Sequence, residues 1–279
     1  AGTVEFLMDM DDGQFYFIEV NPRVQVEHTV TEEVTGIDIV RAQILIAEGK
    51  SLVEATGVAS QYDVKLDGHA IQCRITTEDP TNNFIPDYGR ITAYRGATGM
   101  GIRLDGGSAY SGAVITRYYD SLLEKVTAWA PTPEAAIARM DRALREFRIR
   151  GVSTNIAFVE NLLKHPTFLN YQYTTKFIDE TPELFDFAPR RDRATKILRY
   201  IADITVNSHP ETEGRPLPHT ELKPARPPAQ KAEPAPGTRN LLEAKGPQAV
   251  ADWMSAQPQL LITDTTMRDA HQSLLATRM

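Results

Sequence analysis

The 279-residue chain has a single cysteine, Cys73, which excludes an internal disulfide framework and a cysteine-rich zinc site. One thiol in this length points to a reducing, intracellular compartment. No apolar run approaches the ~18 residues that span a bilayer, so no membrane span is expected. Residues 1–8 lack a basic leader and a long apolar core, so no signal peptide is expected either. Basic residues are scattered and the formal charge is −7, which argues against a nucleic-acid surface but leaves a local anion site open. A glycine-rich phosphate loop is also missing: Gly99-Met100-Gly101 fits neither G-x-G-x-x-G nor G-x-x-x-x-G-K-[ST]. What is present is an apolar share of 42%, enough for a buried core, in a length that suits roughly two domains of ~150 residues. The chain opens at Ala1 directly into a strand-like run and stops at Met279 just after a motif-rich segment. An internal piece of a longer protein is the expectation.

Residues 3–10 and 14–20 read as two strands around Asp11-Asp12-Gly13. Asp38 is placed to cap a helix of about ten residues that ends at Gly49. Short β-rich runs at 69–76, 89–95, 113–117 and 123–129 predict an antiparallel sheet. Thr132 and Pro133 then open a helix with Ile137, Met140, Leu144 and Phe147 at helical spacing. A second helix is expected from Asn155 to before Pro166, and a third over 191–202. Residues 209–240 carry eight of the eighteen prolines and almost no large apolar side chains, which predicts an extended connector. The run 260–264, L-L-I-T-D, reads as a buried strand ending in a carboxylate.

The run 17–28, F-I-E-V-N-P-R-V-Q-V-E-H, alternates two carboxylates, two amides and a guanidinium with apolar residues and a proline. An ordinary solvated strand face also alternates, but would normally include Lys, Ser or Thr and has no reason for an acid–amide–base–amide–acid order. A two-residue turn at Asp12-Gly13 would pair Glu5 with Val20 and put Glu5 and Glu19 on opposite faces, whereas a three-residue loop with Gly13 left-handed pairs Glu5 with Glu19 on one face. Directly opposed carboxylates repel, and a bound Mg²⁺ reverses that sign. Asn21 adds an amide oxygen on the same side. Fully extended, residues 19–27 would cover ~26 Å, so a bend at Pro22 is needed to bring the whole row to one substrate.

This run, with the upstream V-E-F-L, resembles the signature of biotin carboxylases in the ATP-grasp superfamily. The resemblance implies that Glu5, Glu19 and Asn21 hold the Mg²⁺ (or Mn²⁺) ions of MgATP. It implies that Arg23, Gln25 and the Val26 backbone N–H grip bicarbonate, with Glu27 as the base that deprotonates it. Deprotonation makes bicarbonate a better nucleophile for the γ-phosphate of ATP. In that family the resulting carboxyphosphate yields CO₂ and phosphate, and the phosphate takes the N1 proton of biotin. The stretch 99–107, G-M-G-I-R-L-D-G-G, resembles the loop whose arginine stabilises the enolate of biotin, a role that would fall to Arg103. Tyr118-Tyr119-Asp120 looks like a further, mainly structural, landmark.

The run 264–278, D-T-T-M-R-D-A-H-Q-S-L-L-A-T-R, resembles the opening of a carboxyltransferase TIM barrel, which moves a carboxyl group between biotin and a 2-oxo acid. Asp269 would ligate Zn²⁺ or Mn²⁺ there, and Arg268 and Gln272 would face pyruvate or biotin. His271 is not assigned to that metal. The implied whole protein is a biotin-dependent ligase that forms C–C bonds and carboxylates pyruvate to oxaloacetate. A biotin carboxylase module of an acyl-CoA carboxylase is the alternative enzyme, and a non-catalytic dimerisation scaffold is the alternative for the piece alone.

The expected fold class is α+β, with 1–60 as the end of an ATP-grasp domain and 66–205 as a biotin carboxylase C-terminal domain of antiparallel sheet and helices. Residues 206–258 form a proline-rich linker and allosteric region, and 259–279 begin a TIM barrel with its first strand. Acetyl-CoA is implied as an activator, with Arg190, Arg191, Arg193 and Arg215 as candidate phosphate contacts. A homo-oligomer, a tetramer of the parent, is implied, without nucleic acid or membrane partners. The compartment expected is a bacterial cytoplasm, or alternatively the mitochondrial matrix.

Overall fold

A computed structural model describes residues 2–107, 109–116, 118–187, 193–207, 236–266 and 268. The chain divides into two compact units, one of Ala1–Phe187 with Gln259–Met279 and one of Ala188–Pro258. Among the described residues, no helix is long and apolar enough to cross a membrane.

Strands β1 (Thr3–Met8) and β2 (Phe15–Asn21) form an antiparallel hairpin. Its loop is longer than the three-residue turn read from the sequence. The Asp9 and Gln14 backbones close it (Asp9 N–H to Gln14 O, 2.9 Å), and Gly13 is left-handed at φ 72° as expected. This loop pairs Met8 with Phe15 and Phe6 with Phe17. Continued without interruption, that register would put Glu19 on the face of Phe15 and Phe17. The ladder shifts between Glu5 and Phe6, leaving Ile18 as an extra residue, and Glu5 pairs with Glu19 after all. The expected pairing holds, but a β-bulge produces it rather than the turn.

After Asn21 the chain leaves the sheet, as Pro22 requires. The Arg23 N–H closes on the Asn21 carbonyl (2.8 Å), and helix α1 (His28–Thr35) begins five residues later. Helix α2 (Ile39–Ala47) starts where expected, with the Asp38 carboxylate accepting from the Arg41 N–H (2.8 Å). The short α3 (Leu52–Thr56) opens on a Ser51–Glu54 capping box. Neither α1 nor α3 was expected.

Three strands make the central sheet: β3 (His69–Thr76), β4 (Ile102–Gly106) and β5 (Leu122–Ala130), ordered β3–β5–β4 and antiparallel throughout. Cross-strand rows alternate in chemistry. Cys73–Val126–Leu104 and Ile71–Ala128–Ile102 form apolar rows, while Gln72–Thr127–Arg103 and Arg74–Lys125–Asp105 form polar ones. The apolar face packs on α4 (Pro133–Glu146), where Met140, Ala143 and Leu144 are buried. Each large side chain buried there contributes ~1.5–3 kcal/mol. α4 is capped by the Thr132 hydroxyl, which accepts from the Ala135 N–H (3.3 Å), as its sequence predicted. The polar face packs on α1.

The remaining expectations are met unevenly. The run 89–95 splits into Gly89–Arg90 and Ala93–Arg95, and 113–117 shrinks to Val114–Ile115. Asn155 precedes α5 (Ile156–Lys164), but its side chain spans to β3 instead of capping: it accepts from the Thr76 N–H (3.0 Å) and donates to the Arg74 carbonyl (2.9 Å). A short α6 (Pro166–Leu169) follows. Two expectations need correction. The stretch 99–107 is not a loop throughout, because its middle is strand β4. Residues 260–264 form no strand. A barrel strand exists only through the hydrogen bonds of its neighbours, and no partner strand lies beside this run among the described residues.

The second unit contributes α7 (Arg193–Asn207) and α8 (Thr238–Ser255), the latter kinked at Gly246 (φ 80°) just before Pro247. The core of the expected connector, 208–235, lies outside the described residues.

Candidate active site

The hairpin bulge creates the first half of the site. Glu5 and Glu19 share one face, and the Asn21 amide lies between them, donating to Glu5 Oε1 (3.0 Å) and Glu19 Oε1 (2.9 Å). Phe6 packs edge-on against Phe15 and Phe17 on the opposite face, with ring centroids 6.5 and 6.0 Å apart. Among the described residues, no three His, Cys, Asp or Glu side chains are grouped to hold a metal. The further polar group beside the two carboxylates is the Asn21 amide. Turned about its terminal bond, Asn21 presents oxygen where it now presents nitrogen, and three hard oxygens then face one point. Such a donor set fits Mg²⁺ or Mn²⁺.

The second half starts at the bend. Glu27 is the residue that caps α1, yet its side chain makes no capping hydrogen bond, so its carboxylate stays available. Instead it meets Arg74 of β3, whose Nη2 lies 4.0 Å from Glu27 Oε2. Gln72, two residues before Arg74 on the same polar face, donates to the Val26 carbonyl (2.7 Å) and to Thr29 Oγ1 (2.5 Å). The buried Thr29 also meets Thr127 Oγ1 (2.8 Å), so the start of α1 is pinned to two strands. Gln25 Oε1 is buried without a hydrogen-bond partner, a costly state unless a ligand supplies the donor. Arg23 is exposed. A cavity of about 700 Å³ opens beside Glu27, lined also by Val30, His69, Gln72, Phe168 and Tyr171.

Arg103 is elsewhere. Its guanidinium forks onto Asp105 (2.9 and 3.0 Å) and reaches Glu32 Oε2 (2.6 Å), with Glu33 at 3.8 Å. Partial burial works against its charge, but Asp105 and Glu32 raise its pKa overall. Burial pushes the Glu32 carboxyl up, but Arg103, the Ile39 N–H and His28 outweigh it and hold it below the usual carboxylate range. His28 Nδ1 lies 3.2 Å from Glu32 Oε2, and His28 Nε2 lies 3.4 Å from Lys125 Nζ.

The sequence-predicted residues therefore separate into groups. Glu5, Glu19 and Asn21 meet directly. Glu27 meets Arg74, which the sequence reading did not single out, and no contact joins Glu27 to Arg103. The signal for Arg74 was present in the alternation of H-A-I-Q-C-R-I-T, which puts Gln72 and Arg74 on one face and Cys73 and Ile75 on the other. Burial pushes the Cys73 thiol up to about 12, so it is an inert core residue. Arg268 is described and exposed. Asp269, His271 and Gln272 lie outside the described residues, as do Arg190, Arg191, Arg215 and the side chain of Arg193.

Residues 72–180 match the family described as the biotin carboxylase C-terminal domain. Residues 1–55 match the ATP-binding domain of the carbamoyl-phosphate synthase large chain. An acid-rich hairpin of an ATP-grasp fold followed by this α+β domain is the closing part of a biotin carboxylase. Over its whole length the chain is 54% identical to pyruvate carboxylase of Bacillus subtilis (strain 168), of which it spans 24%. A Rhizobium etli pyruvate carboxylase structure with the allosteric activator acetyl coenzyme-A matches the whole chain at 62% identity and a TM-score of 0.69, over 28% of that structure. The biotin carboxylase domain dimer of Hydrogenobacter thermophilus 2-oxoglutarate carboxylase, in complex with MgADP, ADP and bicarbonate, matches 67% of this chain and 40% of its own at 44% identity and a TM-score of 0.63. The chain belongs to the pyruvate carboxylase family and corresponds to about a quarter of its members' length.

Proposed function

We propose that this segment completes the biotin carboxylase centre of a pyruvate carboxylase. The full protein carboxylates biotin with ATP and bicarbonate, then transfers the carboxyl group to pyruvate to give oxaloacetate. The observation that carries this reading is the bulge that turns Glu5 and Glu19 onto one face around Asn21. A metal ion bound there would neutralise charge on the phosphates of ATP. Arg23 and Gln25 hold the bicarbonate anion, the exposed guanidinium and the Gln25 amide N–H donating to its oxygens, and the Val26 backbone N–H adds a third. Glu27 takes the bicarbonate proton. Arg74, the cation beside Glu27, is positioned to stabilise negative charge in that chemistry, and we assign to it the role that the sequence alone gave to Arg103. The bicarbonate and MgADP named for the H. thermophilus relative support this substrate pair.

The same proposal keeps four parts: 1–60, 66–205, 206–258 and 259–279. It places Asp269 on the carboxyltransferase Zn²⁺ or Mn²⁺, and Arg268 and Gln272 on pyruvate or biotin. Acetyl-CoA is the proposed activator, by analogy with the R. etli relative. A homo-oligomer, tetrameric as the whole protein, is proposed too, in a bacterial cytoplasm or the mitochondrial matrix, with no nucleic acid and no membrane partner. The test is Glu27→Ala in the full-length protein. Bicarbonate-dependent ATP cleavage is expected to vanish while MgATP binding persists, and normal cleavage removes the assignment.

A further inference from the structure

Two cations stand side by side on the polar face. Arg74 of β3 and Lys125 of β5 are cross-strand partners, and like charges in that relation repel. Only one of them meets Glu27. The other is held by His28, the residue directly after Glu27. An ammonium has donors only, so His28 Nε2 must accept from Lys125 Nζ across 3.4 Å. The other ring nitrogen, Nδ1, is buried and lies 3.2 Å from Glu32 Oε2 without making a hydrogen bond to it. Glu32 in turn receives Arg103 (2.6 Å), which is forked on Asp105, the partner of Lys125 on β4. The charged groups around His28 are thus Glu27 at the cap of α1 and Glu32 within it, Asp38 at the cap of α2, Lys125 from β5, Arg74 from β3, and Arg103 and Asp105 from β4. The ring is largely shielded, with its side chain 13% exposed.

We propose that His28 is a positioning residue: by tethering Lys125 it keeps that ammonium off Glu27, so that the Glu27 carboxylate faces Arg74 alone. The proposal rests on Glu27 acting as the base. Loss of the tether frees Lys125 to pair with Glu27, which blunts the base and misplaces bicarbonate without touching the metal platform.

The test compares two conservative variants of the full-length protein. In His28→Gln the amide oxygen reaches the Nε2 position and can accept from Lys125. In His28→Asn the shorter amide reaches only the Nδ1 position and meets Glu32 but not Lys125. For bicarbonate-dependent ATP cleavage, His28→Asn is expected to raise the bicarbonate KM and lower kcat by ~10-fold to ~100-fold in kcat/KM. The ATP KM should stay within about twofold, and His28→Gln should stay near wild type. Adding Lys125→Met to His28→Asn should recover most of the loss, because the competing cation is gone. A merely structural ring predicts further damage from that second change. Equal behaviour of the Gln and Asn variants, or no recovery on removing Lys125, overturns the proposal. The Glu27→Ala result is read separately: an active Glu27→Ala protein removes the base, whereas an inactive one beside two equal His28 variants removes only the tether.

Discussion

The two faces of the β3–β5–β4 sheet come from the same three strands and serve different ends. One face meets α4 through Cys73, Val126 and Leu104, packed against Met140 of the helix, and its contacts are non-directional. The other meets α1 through Gln72, Thr127, Arg103, Arg74 and Lys125, and its contacts are hydrogen bonds and ion pairs with defined partners. Apolar packing tolerates small shifts and supplies stability. Polar pairing loses its partner if a residue moves by one position, and so supplies geometry. Glu27 is anchored to the polar face, whereas the fold is anchored to the apolar one.

The sharpest way to break this division is Arg74→Ala. Bicarbonate-dependent ATP cleavage by the full-length protein should fall ~10²-fold or more, while exchange protection of the β5 amides stays unchanged. Arg74→Lys should recover only part, because a point charge replaces a planar fork. Met140→Ala is the mirror experiment on the other face. Its side chain is fully buried, and truncation should cost ~2–5 kcal/mol in β5 protection with activity per folded molecule retained. Equal loss of activity and stability in both variants would erase the distinction between the faces.

Two carboxyls sharpen it further through pH. Glu32, on the polar side, is held below the usual range by Arg103, the Ile39 N–H and His28 against the opposing push of burial. It therefore stabilises the fold above the unfolded carboxylate value of ~4.3, and that support is lost as pH falls through its lower folded value. Glu124 sits among apolar neighbours, pairs with Ile75 and is 4% exposed. Burial pushes its carboxyl up, Asp105 adds to the rise, and the hydrogen bond from the Tyr94 hydroxyl opposes it. Here the fold favours the proton, so stability declines as pH rises from ~4.3 through the raised folded value. At pH 8, Glu32→Gln should lower β5 protection and Glu124→Gln should raise it, and the two effects should shrink toward pH 4. The smallest effect expected is for Thr127→Val, which removes one buried hydroxyl pair with Thr29. It should cost ~1 kcal/mol in protection of the first turn of α1, since Gln72 still donates to Thr29.

Local chemistry was the legible part. The caps at Asp38 and Thr132 announced α2 and α4, and short β-rich runs announced β3 and β5. Helix α1 was missed because its capping residue, Glu27, makes no capping bond and its sequence sits inside an alternating run. Strand β4 was read as a loop because Gly99, Gly101, Gly106 and Gly107 crowd around it. The Glu5–Glu19 pair was read correctly for an incorrect reason, since the loop alone gives the opposite parity and the bulge at Ile18 restores it.

By itself the sequence determined which groups are available: two carboxylates and an amide near one strand end, a further carboxylate two residues past a glutamine, and strands with one polar and one apolar side. Tertiary structure decided which of them meet. Side chains on a strand alternate with a period of two, so one inserted residue at Ile18 moved Glu19 to the other face of its hairpin. Cross-strand register then chose Arg74, rather than Arg103, as the partner of Glu27. A register is a property of two segments distant in the chain, and neither segment carries it alone.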